Sequence, residues 1–320
     1  MASLQDRCTS LISRFRRSPD ASARTLLVTV FGDSIVPHGG EVWIGSLLRL
    51  VEPLGISERL ARTSLHRLVG EGLLITRRHG RRSFYSVAPP ARNDFREAER
   101  RIYHSRRGDP WDGRWTVVVE TNGIAAPARA AIRQHLAWLG FGSLGPPVHV
   151  CPLDRTEELG QLLRTLGLAD QVAVFRGRVP SSIGLADRDL VEAMSSDLDG
   201  LERAWRTFLR RFRLLAEAAA GDRGGVDGQT AFLTRTLLVH AYRRIVLREP
   251  ELPGELWPRA WVGETAYEVA ACCYRALSAG ADAHLAGICD TGGAALPAVD
   301  RAYARRYAPA WDRQRRRSLT

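Results

Sequence analysis

Residues 55–87 read GISERLARTSLHRLVGEGLLITRRHGRRSFYSV, a turn, an amphipathic segment and a basic hairpin in uninterrupted succession. Gly55-Ile56-Ser57 predicts a turn ending in an N-cap, because a serine hydroxyl accepts from the free N–H groups of a helix's first turn. From about Glu58 to Glu71, Ala61, Leu65, Leu68 and Val69 recur at i, i+4, i+7 and i+8 and so share one helical face. Arg59, Arg62, Thr63 and His66 lie away from it, and Ser57 and Arg67 join them as candidate contacts. This outer face has the chemistry of a nucleic-acid reader: arginine donates two hydrogen bonds to a guanine edge, threonine packs on a thymine methyl, and either holds phosphate. Gly72 stops the helix, and Leu73–Thr76 and Ser83–Val87 read as two strands joined by Arg77-Arg78-His79-Gly80-Arg81-Arg82. Four arginines at one hairpin tip repel one another unless solvent or a polyanion compensates, and a phosphate backbone is the obvious polyanion. Tyr85 on the second strand completes the candidate DNA contacts, and Trp43, Leu47, Leu48, Leu50, Val51 and Leu54 supply a helix leading into the turn. Together these make a winged helix-turn-helix. The plainer alternative is a helical hairpin with a solvated charged loop.

The chain of 320 residues is long enough for two or three domains. Its 46 basic side chains are all arginine, for a net charge of +11. The absence of lysine excludes a Walker P-loop, a pyridoxal Schiff base and any lysine nucleophile. No apolar run approaches the roughly 18 residues of a membrane span, and the first residues lack a signal peptide's apolar core. Five cysteines, odd in number and including the adjacent Cys272-Cys273, imply no disulfide framework, so a cytoplasmic protein is expected. Neither C-x-x-C nor H-E-x-x-H occurs, and no metal or cofactor is expected.

Residues 1–23, polar and Ser- and Arg-containing, are expected to form a mobile arm. In RTLLVTVFGDSI, residues 24–35, Val28, Val30 and Phe31 sit in a short, largely β-branched run ending at Gly32 that reads as a strand by periodicity alone. Its Phe31-Gly32-Asp33-Ser34 is similar to the nucleophile block of GDSL hydrolases, which makes a serine hydrolase using Ser34 the best enzyme alternative. Such an enzyme needs a histidine base supplied with an aspartate as D-x-x-H, and Asp282-Ala283-His284 has the wrong spacing, so no enzyme is expected.

Pro89-Pro90 closes the reader domain, and residues 91–114 read as an arginine-rich linker helix. Strand and helix then alternate: Trp115–Glu120, Pro127–Leu139, a hidden strand near Phe141–Leu144, Val148–Cys151, Thr156–Leu166 and Gln171–Phe175. This order predicts a ferredoxin-like βαββαβ domain over 115–180, with Glu120 as a strand-end charge. That fold also hosts RNA nucleases, so a non-specific nucleic-acid binder or nuclease is a second alternative. Within a helix over Leu190–Ala219, Leu198, Leu201, Trp205, Phe208, Phe212 and Leu215 form an a/d seam, either an intramolecular core or a dimer interface. Arg301–Arg317 holds seven arginines and is expected to be a solvated tail.

Two blocks resemble one family. LVTVFGDSIVPHGGEVWIGSLLRLVEPLGISERLARTSLHRLVGEGLL, residues 27–74, with RRHGRRSFY after it, is similar to the N-terminal domain of the phenylacetate-degradation repressors, the PaaX-type regulators. Trp111-Asp112-Gly113-x-Trp115 matches the opening of that family's central, Cas2-like domain. His240-Ala241-Tyr242-Arg243-Arg244, Glu249-Pro250-Glu251-Leu252-Pro253 and Trp261-Val262-Gly263 resemble its C-terminal signature, with Glu249 where Asp is usual and Val262 where Pro is usual. The resemblance implies that residues 24–35 begin with a helix, not a strand. It implies an α+β multidomain protein: a winged helix-turn-helix over 24–90, the ferredoxin-like domain over 115–180, a mostly helical effector and dimerisation domain over 181–300, and the tail over 301–320. The implied function is that of a cytoplasmic one-component transcriptional repressor, a homodimer on double-stranded operator DNA. Release by an acyl-CoA effector is implied too, an aryl-CoA thioester such as phenylacetyl-CoA. For that effector the candidates are His240, Tyr242, Arg243 and Arg244, which suit an anion, and Trp257, Trp261 and Tyr267, which suit an aryl group. The same residues also suit a buried network tying the helix to the proline-rich loop.

Overall fold

The computed structural model describes residues 2–17, 22–104, 110–180, 183–194, 197–221, 225–258, 260–289, 297–299 and 301–308. The chain forms two units, one from Met1–Ser105, Ala204–Leu247 and Val262–Thr320, the other from Arg106–Arg203 and Arg248–Trp261. In place of the expected mobile arm, α1 (Leu4–Arg17) buries Leu4, Cys8, Leu11, Ile12 and Phe15. Their spacing is that of one helical face, diluted in the sequence by the arginines and serines between them. Gln5 fastens the helix: its Nε2 donates to Asp227 Oδ2 at 2.5 Å and its Oε1 accepts from the Asp227 N–H at 3.1 Å.

Ser22 caps α2 (Ala23–Val30), which runs on into a π-helical turn over Phe31–Ile35. The strand that periodicity suggested is therefore helix, as the family resemblance implied. Leu26, Leu27, Thr29, Val30 and Phe31 are all buried, and a helix enclosed on most sides loses the polar stripe that would mark its period. β1 (Glu41–Trp43) leads into α3 (Ile44–Val51), a short turn and α4 (Glu58–Gly70), followed by β2 (Leu74–His79) and β3 (Arg82–Val87). The three strands form an antiparallel sheet in the order β1-β3-β2. The hairpin is longer than the apolar pattern indicated. Arg77 and Arg78 pair with Phe84 and Ser83 inside the ladder, leaving Gly80-Arg81 as a two-residue turn, with Gly80 at φ 58° as a tight hairpin turn requires. α5 (Arg92–Tyr103) buries only its last turn, Ile102 and Tyr103.

In the second unit β4 (Trp115–Glu120), α6 (Ala126–Trp138), β5 (Gly142–Gly145), β6 (Val148–Cys151), α7 (Thr156–Leu166) and β7 (Val172–Gly177) follow the expected ferredoxin-like order. The sheet is antiparallel, ordered β5-β6-β4-β7. Val118 and Cys151 pack with Ile132 and Leu136 of α6 and Leu159 and Leu163 of α7. Glu120 is not a solvated strand end. Its side chain is fully buried, 2.9 Å from Arg129 Nε and 2.8 Å from His149 Nε2. α8 (Asp187–Met194) closes against β5, where a Cβ on Gly142 would lie 2.5 Å from that of Met194.

The helix expected over 190–219 is divided between α8 and α9 (Leu198–Gly221). The a/d seam is core: Leu201, Trp205, Phe208, Phe212 and Leu215 are buried within the chain, and Tyr242 lies 5.0 Å from the Trp205 ring and 5.6 Å from Phe208. Tyr242 belongs to α10 (Gly228–Val246), whose residues from Ala231 to His240 are all buried. Against it packs α11 (Val262–Ile288). α12 (Arg301–Ala304) is a single turn. The tail is not wholly solvated, because Arg306 and Tyr307 are buried; residues 309–320 lie outside those described. Among the described residues no helix is long and apolar enough to cross a membrane. Trp205→Ala empties the centre of this helical core, and its unfolding free energy in a denaturant titration should fall by about 3–5 kcal/mol.

Candidate nucleic-acid interface and C-terminal junction

Gly55, at φ 85°, turns the chain from α3 into α4, and Ser57 Oγ accepts from the Leu60 N–H at 3.4 Å. Burial of Ala61, Ser64, Leu65 and Leu68 fixes the rotation of α4, so Arg59, Arg62, Thr63, His66 and Arg67 all face solvent. Arg62 rests on Glu58, Nε to Oε1 at 2.8 Å. Both are exposed, and an exposed pair of this kind contributes little and is readily exchanged for phosphate or a base edge. Thr63 donates to the Arg59 carbonyl at 2.9 Å. Leu60, 47 % exposed on the first turn, adds an apolar side chain to this face that its polar pattern does not reveal.

On the hairpin, Arg77, Arg78, Arg81 and Arg82 are exposed. Arg82 lies with its guanidinium carbon 4.9 Å from the Trp43 ring centroid, a cation–π contact that holds one arginine at the base of the turn. Arg81 occupies the turn itself. Tyr85 is half-buried in the ladder opposite Thr76 and Val42, further from the tip than the arginines. An ion pair of Arg24 with Glu71 joins the start of α2 to the end of α4.

The C-terminal candidates divide between the units. In the first, His240 is buried and its Nδ1 shares a hydrogen bond with Thr29 Oγ1 at 2.9 Å. Tyr242 is enclosed by aromatic rings, Tyr267 donates to the Tyr103 carbonyl at 3.2 Å, and Arg244 is exposed. Arg243 donates through Nη2 to the Thr25 carbonyl at 3.3 Å while its buried Nε meets no acceptor, and burial pulls its pKa down. In the second unit Trp257 and Trp261 stack with centroids 5.0 Å apart, and Trp261 Nε1 donates to Glu249 at 3.1 Å.

Sequence reasoning missed the group at the centre of the first unit. Asp33 Oδ2 lies 3.1 Å from Arg235 Nε and Oδ1 3.3 Å from Arg306 Nη1. Tyr103 and Tyr274 donate to Oδ1 at 2.7 and 3.0 Å. Arg235 reaches on to Asp282 at 2.6 Å and Arg306 to Glu99 at 3.0 Å. Burial raises the Asp33 pKa, but the two guanidiniums and two phenols outweigh it and hold the carboxyl below its ordinary value. Ser34, the serine of the hydrolase alternative, belongs to this group: fully buried, it donates to Asp33 at 3.2 Å and accepts from Arg235 at 3.3 Å. In this arrangement its hydroxyl is committed to Asp33 and Arg235 and is not exposed to solvent.

Residues 22–89 match the PaaX-like protein family, residues 108–191 the PaaX protein central Cas2-like domain, and residues 196–287 the PaaX-like protein C-terminal domain. The chain belongs to the PaaX-like family. It is 34% identical over 286 residues to the transcriptional repressor PaaX of Escherichia coli (strain K12), covering 89% of this chain and 90% of that one. An uncharacterized Mycobacterium tuberculosis protein, Rv0674, shares the fold, with a TM-score of 0.52 at 24% identity over 82% of this chain and 98% of that one. In this PaaX-like chain α4 and the C-terminal helices share one unit, joined through Asp33. Asp33→Ala leaves two buried guanidiniums without their shared carboxylate and should lower stability by about 3–5 kcal/mol. Because the native Asp33 pKa is depressed, its contribution is present above the unfolded value of about 3.9 and lost as pH falls through the lower native one. Asp33→Asn should therefore be less stable near neutrality and lose that part of the acid dependence, as denaturation at a series of pH values would show.

Proposed function

We propose that this protein is a cytoplasmic one-component transcriptional repressor that binds operator DNA as a homodimer and is released by an aryl-CoA thioester such as phenylacetyl-CoA. The observation that carries the reading is the arginine-rich outer face of α4, held by its buried face and flanked by an exposed arginine hairpin. The name of the Escherichia coli relative, a transcriptional repressor, supports the same class. In a dimer two copies of α4 enter successive major grooves, and the wings lie on flanking phosphates. Arg59, Arg62, Thr63, His66 and Arg67 supply base and phosphate contacts, with Ser57 at the helix start. Arg77, Arg78, Arg81 and Arg82, with Tyr85 behind them, supply the sequence-independent share. The thioester is recognised by the C-terminal candidates of the first unit, His240, Tyr242, Arg243, Arg244 and Tyr267, of which Arg243 is the cation with an unmet donor. Release requires that the effector favour the arrangement that does not fit DNA, because equal affinity for both would shift nothing.

Gel-shift titration on the DNA upstream of the protein's own gene, with random competitor and with or without phenylacetyl-CoA, tests the reading. Binding should survive competitor and fall with the thioester; equal affinity for random DNA would sink the repressor assignment. Arg62→Ala should relax base preference at one operator position by about 1–3 kcal/mol. Arg81→Ala should instead weaken all sequences alike and flatten the salt slope by about one, read from affinities at several salt concentrations.

A further inference from the structure

Beyond α12 the chain packs into the core of the first unit, and Arg306 and Tyr307 are both 0 % exposed. The Tyr307 ring sits among four other tyrosines, with centroids 5.5 Å from Tyr103, 6.4 Å from Tyr242, 5.2 Å from Tyr267 and 5.3 Å from Tyr274. These come from α5, α10 and α11, so the ring occupies an aromatic cage where three helices meet. Two features make Tyr307 a poorly suited occupant. Its φ of 57° lies in the left-handed region, which a bulky side chain adopts only under constraint. Its hydroxyl is buried without a hydrogen-bond partner, so the cage leaves the one polar atom of its guest unsatisfied. What holds the residue is the N–H of Tyr307 on the Tyr103 carbonyl at 2.9 Å and the neighbouring Arg306, bonded to Asp33 and Glu99 and 4.0 Å from the Tyr103 ring centroid. A plain phenyl ring would meet the same aromatic walls without the stranded hydroxyl or the strained backbone. Next to Tyr242 in sequence, Arg243 carries the donor that meets no acceptor.

We propose that the cage of Tyr103, Tyr242, Tyr267 and Tyr274 is an aryl-binding site that the chain closes with its own Tyr307, and that a ligand with an unsubstituted phenyl ring and an anionic arm exchanges with this residue. The arm is that of an acyl-CoA only if the repressor reading holds; the cage itself does not depend on that reading. Exchange draws Arg306 away from Asp33 and Glu99 while Arg235 remains on Asp33, so filling the cage alters the junction behind the reader helix.

The test titrates the full-length protein and its Tyr307→Gly and Tyr307→Phe variants with toluene and with phenylacetyl-CoA. Glycine relieves the backbone and empties the cage, so this variant should take up toluene where the wild type does not. It should also bind the thioester at least about tenfold more tightly, because the competing side chain is gone. Phenylalanine removes the stranded hydroxyl, strengthens the plug and should weaken thioester binding about fivefold. Toluene uptake by the glycine variant with no thioester bound by any form upholds the cage and overturns the acyl-CoA effector. Equal thioester affinity in all three forms, with no toluene uptake, keeps the effector and overturns the cage. Should the glycine variant fail to fold, hydrogen exchange of the amide at position 307 decides: about fivefold slower exchange in Tyr307→Phe supports the plug, and an unchanged rate refutes it.

Discussion

A single carboxylate held between two guanidiniums, none of the three in contact with solvent, sets the arrangement of the larger unit. Asp33 cannot by itself balance Arg235 and Arg306, and the remaining positive charge is met by Asp282 and Glu99 at the edges. A buried network of this type is not strong evidence for stability, because desolvation opposes most of the Coulomb gain and an apolar core of equal volume does as well. Its effect is on geometry. Each member lies on a different segment: the π-helical turn after α2, α5, α10, α11 and the chain beyond α12. Any shift of one segment leaves a charge unpaired in a place where water does not compensate it, so the five are held in register. Hence the N-terminal helices and wing, continuous in sequence, are backed in part by Arg235 and Arg306, which lie far downstream.

That arrangement explains which parts of the protein could be read from the sequence. The turn, α4 and the wing were legible because their signals are local: a cap, a face spaced at three and four, and a glycine at the hairpin turn. The ferredoxin-like order was legible for the same reason, including β5, whose Gly142-Ser143-Leu144-Gly145 has little strand character of its own and was inferred from the pattern around it. Asp33 was not legible. In FGDSI it reads as a loop carboxylate or half of a hydrolase motif, and only Arg235 and Arg306, both remote in sequence, make it a buried ion. The segments at the two ends failed alike. Residues 4–17 and 301–308 are rich in arginine, and composition pointed to solvent, yet each turns one set of apolar or aromatic groups inward.

The outer face of α4 and the hairpin is defined by what is not compensated. Elsewhere in the first unit some arginines are matched to acids or to backbone carbonyls, as Arg306 is to Glu99, Arg101 to Val246 and Arg16 to Pro53. On α4 and the hairpin the exposed arginines outnumber acids, with Glu58 and Glu71 the acids of α4 and its cap, one paired to Arg62 and the other to Arg24. Such an excess on a rigid support is an electrostatic footprint for a polyanion, and the small interaction of Arg62 with Glu58 or of Arg82 with Trp43 keeps side chains extended without committing them.

Coupling between the aromatic cage and the reader needs an element that feels both, and α2 is placed to do so. It packs against α4 on one side and α10 on the other. Thr29 in its middle bonds to His240, Thr25 near its start accepts from Arg243, and Asp33 beyond its end holds Arg306. A change confined to surface loops would have no route to α4, whereas one that frees Arg306 acts on a turn continuous with α2. The π-helical geometry of Phe31–Ile35 is informative here, since single π-helical turns are rare and found frequently at functional sites. The same acid that fixes the unit in one arrangement is therefore the group whose loss of a partner would let α2, and α4 with it, take up another.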